Sequence, residues 1–131
     1  MYVIGVDFDG TIVEHRYPEI GPEQPGAFEV LKELKAAGHK LILWTCRENF
    51  GYKINKQYLT DAVEFCRENG VEFDAVNETI PEHDFRCGET LTRKPHCHYY
   101  IDDAIVGGFI GWSAIRHYFF GEGSNNDNQI D

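Results

Sequence analysis

Apolar and polar positions alternate in blocks along the chain, and the blocks change period. Residues 2–8 form a short apolar run with the strand formers Val3, Ile4 and Val6, and Gly10 breaks it, as at the end of a buried parallel strand. Residues 14–26, EHRYPEIGPEQPG, are polar and proline-bearing and read as a loop. AFEVLKELKAAG (27–38) then sets Phe28, Leu31 and Leu34 at helical spacing and stops on Gly38. HKLILWT (39–45) is a second buried strand, Leu41 to Trp44, ending on Thr45. From about Asn55 to Asn69 the period is helical again, with Tyr58, Leu59, Ala62, Val63 and Cys66 on one face and Gly70 beyond it. VEFDAVN (71–77) reads as a weaker third strand, 78–95 as a polar loop, HYYIDDAIVG (98–107) as a fourth strand and GWSAIRHYFF (111–120) as a last helix or strand. Strands alternating with helices predict an α/β fold: a parallel sheet covered on both faces. One domain over 1–120 is expected, with the aperiodic GEGSNNDNQID (121–131) as a mobile tail.

Composition narrows the classes. Of 131 residues, 42% are hydrophobic, which is globular, and the formal net charge of −10 argues against a general nucleic-acid coat or an anionic membrane partner. No apolar run approaches the roughly 18 residues of a membrane span, and no basic leader precedes the first strand. Cys46, Cys66, Cys87 and Cys97 lack a C-x-x-C pair and read as reduced thiols, so a cytoplasmic location is expected.

The chemistry is concentrated where the strands end. Asp is depleted in strands, yet the first strand delivers Asp7 and Asp9, the second ends on Thr45, and the fourth on Asp102 and Asp103. In open α/β sheets ligands sit beyond the carboxyl ends of the strands, so these residues should meet at one edge. Four carboxylates cannot share a site as bare anions: two like charges about 4 Å apart cost about 4 kcal/mol at an effective dielectric of about 20. Either some are protonated or a cation sits among them; all-oxygen ligation with few residues suits Mg²⁺, which neutralises and orients a phosphoryl group. Thr45 and Lys94 suit phosphate oxygens. An aspartate facing phosphorus can act as nucleophile, and a second one two residues on can handle the proton, its pKa raised by its negative neighbours.

These residues resemble the haloacid dehalogenase-like superfamily of aspartate-nucleophile phosphatases, through VDFDGT (6–11), LILWT (41–45), RKP (93–95) and YIDD (100–103), in that order over about the first 110 residues. The resemblance implies a three-layer, Rossmann-like sandwich around a central parallel sheet. It implies a Mg²⁺-dependent phosphate monoester hydrolase with Asp7 as nucleophile and metal ligand, and Asp9 as general acid/base lending its carbonyl to the metal. Thr45, Lys94 and Gly10 would bind the phosphoryl group, Asp102 the metal, and Asp103 the metal directly or through water. The gaps between motifs leave little room for a cap domain. A capless, open site implies a large phosphorylated substrate, or a small one closed in by a neighbouring subunit.

Other signals carry competing readings. Arg47 and Asn77 are candidates for substrate binding, against a solvated loop arginine and a plain turn residue. Lys53, Lys56 and Arg93 compete with Lys94 for the phosphate. His83, Cys87, His96, Cys97 and His98 raise zinc, but lack C-x-x-C or H-x-x-x-H pairing. GGFIGW (107–112) lacks nucleotide-loop spacing. Tyr118, Phe119 and Phe120 are candidates for a homo-oligomeric contact. A signalling receiver domain would place its acidic pair first and its phosphorylated Asp later, and would have no use for Asp9. A phosphoryl-accepting or partner-binding domain of the same fold, without turnover, remains the alternative to the enzyme.

Overall fold

The computed structural model describes residues 1–50, 56–83 and 92–121. The chain runs β1 (Val3–Val6), α1 (Ala27–Ala36), β2 (Lys40–Leu43), β3 (Asn49–Phe50), β4 (Lys56–Gln57), α2 (Tyr58–Glu68), β5 (Ala75–Val76), a 3₁₀ turn (Pro81–His83), β6 (Tyr99–Ile101) and α3 (Trp112–Phe120). Four strands form one sheet in the order β5-β2-β1-β6, every neighbour parallel. β1 is central and buried along its whole length, which is why its sequence is a continuous apolar run rather than an alternating one.

The pleat sorts the core. Ile4, Val6, Leu41, Leu43 and Ile101 fall on one face and pack with Phe28, Leu31 and Leu34 of α1, Ala62 and Cys66 of α2, and Trp112 and Ile115 of α3. Val3 and Ile42 fall on the other, against Ile80, Ala75 and Cys97. Right-handed crossovers account for this division. The steps β1 to β2 and β2 to β5 run in one direction, so α1 and α2 share a face; the step from β5 back across to β6 must cover the opposite one. Both faces are covered, but among the described residues the second cover is irregular chain and a 3₁₀ turn, not a helical layer.

Several elements differ from the sequence expectation. The third strand shrinks to Ala75–Val76; just before it Asp74 meets Leu41 of β2, its N–H donating to Leu41 O and its Oδ2 accepting the Leu41 N–H, both at 2.8 Å. The fourth covers only Tyr99–Ile101. α2 begins at Tyr58 rather than near Asn55, which lies outside the described residues. The unanticipated β3–β4 hairpin lies just ahead of it. From β3, Asn49 Oδ1 accepts the Leu59 and Thr60 N–H groups, both at 3.1 Å, and so caps the first turn of α2 from a distance. The last apolar segment is the helix α3, tied to α1 by Arg116, whose guanidinium donates twice to Glu33 at 2.8 Å. Phe119 and Phe120 pack against the core and Tyr118 is largely exposed, its hydroxyl donating to that of Tyr99 at 2.9 Å. The segment proposed as a mobile tail lies outside the described residues beyond Gly121. Among the described residues no helix is long and apolar enough to cross a membrane.

Candidate functional site

Register places the acidic residues together. Val6 lies opposite Leu43 on one side and Ile101 on the other, so Asp7, Trp44 and Asp102 leave the sheet at one level. The order of connection reverses between β1 and β6, and there a cleft of about 430 Å³ opens at the strands' carboxyl ends. Asp7, Asp9, Thr45, Asp102 and Asp103, expected to meet at one edge, line it, and so does Arg47. His15, Tyr17, Cys46 and Ala104 line it too. No sequence signal singled these out; His15 and Tyr17 come from the proline-bearing loop after β1.

Asp7, Asp102 and Asp103 each offer an oxygen, all within 4.8 Å of one another, and all three residues are half-buried. The buried Thr11 hydroxyl lies 3.4 Å from both Asp7 Oδ2 and Asp103 Oδ1. Gly10 makes this approach possible. Its φ is +87°, and a Cβ there would overlap the Asp103 carboxylate, lying 2.6 Å from its Cγ. Burial pushes the Asp7 carboxyl up to about 8, reinforced by its hydrogen bond with Asp103 and the charge of Asp102, with the Phe8 N–H acting the other way. Oxygen-only donors converging on one point, with that much mutual repulsion, fit a hard divalent cation, whose charge would hold all three as anions. Asp103 stands in this group beside Asp7, while the Asp9 side chain is not part of it.

Asp9 instead faces a cation. Arg47 Nε donates to Asp9 Oδ2 at 2.8 Å and Nη2 to Oδ1 at 2.9 Å, a two-pronged pair with the Arg47 side chain 1% exposed. The negative neighbours anticipated around Asp9 surround Asp7 instead. The remaining Arg47 donors reach backbone carbonyls: Nη2 to Glu19 at 2.9 Å, Nη1 to Pro18 and to Tyr58, both at 3.2 Å. Its planar head also lies against the rings of Phe8 and Tyr17, 5.0 and 5.1 Å from their centroids. All five N–H groups of a guanidinium are thus engaged. Arg47 is neither the solvated loop residue nor a free substrate clamp; it ties Asp9, the loop after β1 and the start of α2 to one point.

Asn77 is likewise turned inward. At φ +56°, a conformation that Asn tolerates better than most residues, its Oδ1 accepts the Thr45 N–H at 2.8 Å. Thr45 Oγ1 in turn accepts the Arg47 N–H at 3.1 Å, so Asn77 positions the turn that carries Thr45 and Arg47. The Gly10 N–H donates to Val13 O at 2.7 Å, which leaves the glycine as a spacer for Asp103 rather than a phosphate donor. Lys94 is not brought to the cleft: its ammonium sits 4.4 Å above the ring of Tyr100. Lys56 is exposed in β4 and Arg93 is exposed beside Lys94; neither lines the cleft, and Lys53 lies outside the described residues. The His/Cys segment forms no metal-ligand cluster among the described residues, and Cys87 lies outside them. Cys97 packs under Gly5 with its thiol pushed up to about 11 by burial, and His98 Nδ1 accepts the Val3 N–H at 2.9 Å.

No family model matches the chain, and no curated protein matches it. Among solved structures it is similar to a conserved protein coded by a locus of Bacteroides thetaiotaomicron, with 44% sequence identity, a TM-score of 0.75, and an alignment covering 90% of this chain and 88% of that one. Identity at that level across nearly the whole of both chains places this protein in the same family as that conserved Bacteroides thetaiotaomicron protein.

Proposed function

We propose that the chain is a Mg²⁺-dependent phosphate monoester hydrolase of the haloacid dehalogenase-like type, working through an aspartyl phosphate on Asp7. The observation that carries the reading is the half-buried trio Asp7, Asp102 and Asp103, with Asp9 lining the same cleft two residues beyond Asp7. The trio would hold Mg²⁺, which when bound supplies charge neutralisation and orientation of the phosphoryl group. An Asp7 oxygen attacks phosphorus, the bond from phosphorus to the leaving oxygen breaks, and that oxygen takes a proton from Asp9. In the second step Asp9 accepts a proton from water as the water attacks the acyl phosphate. Inorganic phosphate leaves, and the Asp7 carboxylate and the Asp9 proton are restored. The Thr45 hydroxyl, at the cleft wall, donates to a phosphoryl oxygen. Among the described residues the segments between β1 and β2, and between β2 and β6, hold no inserted cap, consistent with a capless member.

Arg47 bears on both steps. With both Asp9 oxygens accepting from Arg47, Asp9 is arranged as the base of the second step. Donating in the first step requires Asp9 to carry a proton and turn one oxygen from Arg47 to the leaving group. The same hold is the observation that favours the alternative, a phosphoryl-accepting domain in which Asp9 stays with Arg47 and the acyl phosphate persists. Hydrolysis of an aryl phosphate by the intact chain, measured with Mg²⁺, with EDTA and in Asp7→Asn, separates them. Sustained metal-dependent turnover, lost in the variant, is expected of the hydrolase. Stoichiometric phosphate retained on the protein without turnover would favour the acceptor.

A further inference from the structure

The residues lining the cleft differ in kind. Asp7, Asp102 and Asp103 are acidic, whereas the loop after β1 contributes His15 and Tyr17, both exposed, Tyr17 at 43%. The Tyr17 ring is braced from within the protein: the Arg47 guanidinium lies 5.1 Å from its centroid, and Tyr58 meets it edge-on at 5.5 Å. A ring fixed in this way and still open to the cleft is a stacking platform, and its order costs a ligand little. Among the described residues the cleft also lacks what a second anionic group would need. Arg47 has every N–H engaged by Asp9 and by three backbone carbonyls, and Lys94 lies on Tyr100 outside it. No lysine lines it among the described residues.

Resting on the hydrolase reading, we infer that the substrate is the monophosphate ester of an uncharged, ring-bearing alcohol, whose ring packs on Tyr17 and His15 while its single phosphoryl group faces Asp7. A carboxylate or second phosphate on the leaving group would find no uncommitted arginine or lysine among the described lining residues to pair with. It is therefore selected against. The ring supplies the contact that a cap domain would otherwise make. Tyr17 and His15 are specificity residues here: they touch the leaving group and take no part in moving its proton.

The test uses the full chain with Mg²⁺ and three esters of alcohols with similar leaving oxygens: benzyl phosphate, ethyl phosphate and para-carboxybenzyl phosphate. The expected kcat/KM for the benzyl ester exceeds that for the ethyl ester by about tenfold or more, the scale of one ring-stacking contact. The carboxylate should remove most of this advantage. Tyr17→Ala should bring the benzyl-to-ethyl ratio down toward one, and Tyr17→Phe should retain it. Because the ratio is taken within each variant, a general loss of folding or chemistry does not mimic the effect; His15→Ala gives a second, smaller fall in the same ratio. Equal turnover of the benzyl and ethyl esters, or preference for the carboxylated one, overturns the inference and leaves the hydrolase reading standing. Failure to turn over any ester, with no phosphate captured on Asp7, overturns both.

Discussion

Replacing Arg47 by methionine keeps most of the volume of its stem and removes all five N–H donors. The perturbation is severe because, among the described residues, no other lysine or arginine lines the cleft. The Asp9 carboxylate, whose side chain is 12% exposed, loses both partners, and the carbonyls of Pro18, Glu19 and Tyr58 lose theirs. Removing one member of a buried pair costs about 3–5 kcal/mol, mainly because the other charge is left unpaired. Pro18 and Glu19 are exposed residues and Tyr58 is half-buried, so these carbonyls add less than a fully buried orphan. We expect Arg47→Met to lose about 4 kcal/mol, roughly a quarter or more of the ~5–15 kcal/mol that stabilises a typical domain. Urea unfolding followed by the fluorescence of Trp44 and Trp112 measures it. Asp9→Asn alone should cost less, since the amide still offers one acceptor. The double variant should be more stable than the sum of the two losses implies, by about 1–3 kcal/mol of coupling. A loss below about 1 kcal/mol for Arg47→Met, or strict additivity of the two changes, would refute the view that one arginine ties Asp9 to the loop and to α2.

Three further expectations follow from the same geometry. The Asp7 carboxyl, raised from 3.8 to about 8, keeps its proton in the metal-free folded chain where the unfolded chain has already lost it. Rising pH between those values therefore removes stability: Tm in EDTA should fall from about pH 4 toward pH 8, the gap between Tm with Mg²⁺ and with EDTA should widen over the same range, and Asp7→Asn should flatten both; a pH-independent gap would contradict this. Gly10→Ala forces a side chain into the space of Asp103 at φ +87°, so the Mg²⁺-induced rise in Tm should largely disappear, together with about 1–2 kcal/mol of stability in EDTA. Lys94→Ala should change kcat/KM for a phosphate ester by less than about threefold, because removing a cation that lies over Tyr100 leaves the cleft intact; a loss of about a hundredfold would return Lys94 to the phosphate.

What could be read from the sequence, and what could not, divides along a physical line. β1, β2, α1 and the body of α2 are set by local periodicity, and the meeting of Asp7, Asp9, Thr45, Asp102 and Asp103 follows from parallel strands ending at one edge. The short elements escaped because each depends on a distant partner. The β3–β4 pair is two residues a side, and α2 is capped by an asparagine in β3. Arg47 could not be read at all: a lone arginine in a turn has the same local signature whether it is solvated or buried, and its four hydrogen-bonded partners come from three separate segments. Asn77 looked like a turn residue and is one, but its side chain also holds Thr45 in place. Lys94 was assigned by motif, whereas its position is decided by Tyr100 on the face of the sheet shared with Gly5 and Cys97. Tyr17 and His15 lie in a loop whose polar, proline-bearing composition says only that it is a loop.

The most direct measurement is capture of the acyl phosphate. The intact chain is mixed with Mg²⁺ and a phosphate monoester, quenched in acid within one turnover, reduced with borohydride and mapped by mass spectrometry. Reduction converts a phosphorylated aspartate to homoserine, so the modified residue identifies the nucleophile. We expect the change at Asp7, absent in EDTA; with an aryl phosphate, whose leaving oxygen needs no proton from Asp9, it should accumulate further in Asp9→Asn, where the water step lacks its base. Turnover with no modified aspartate, or modification at Asp102 or Asp103 instead of Asp7, would contradict the assignment of Asp7 as the nucleophile.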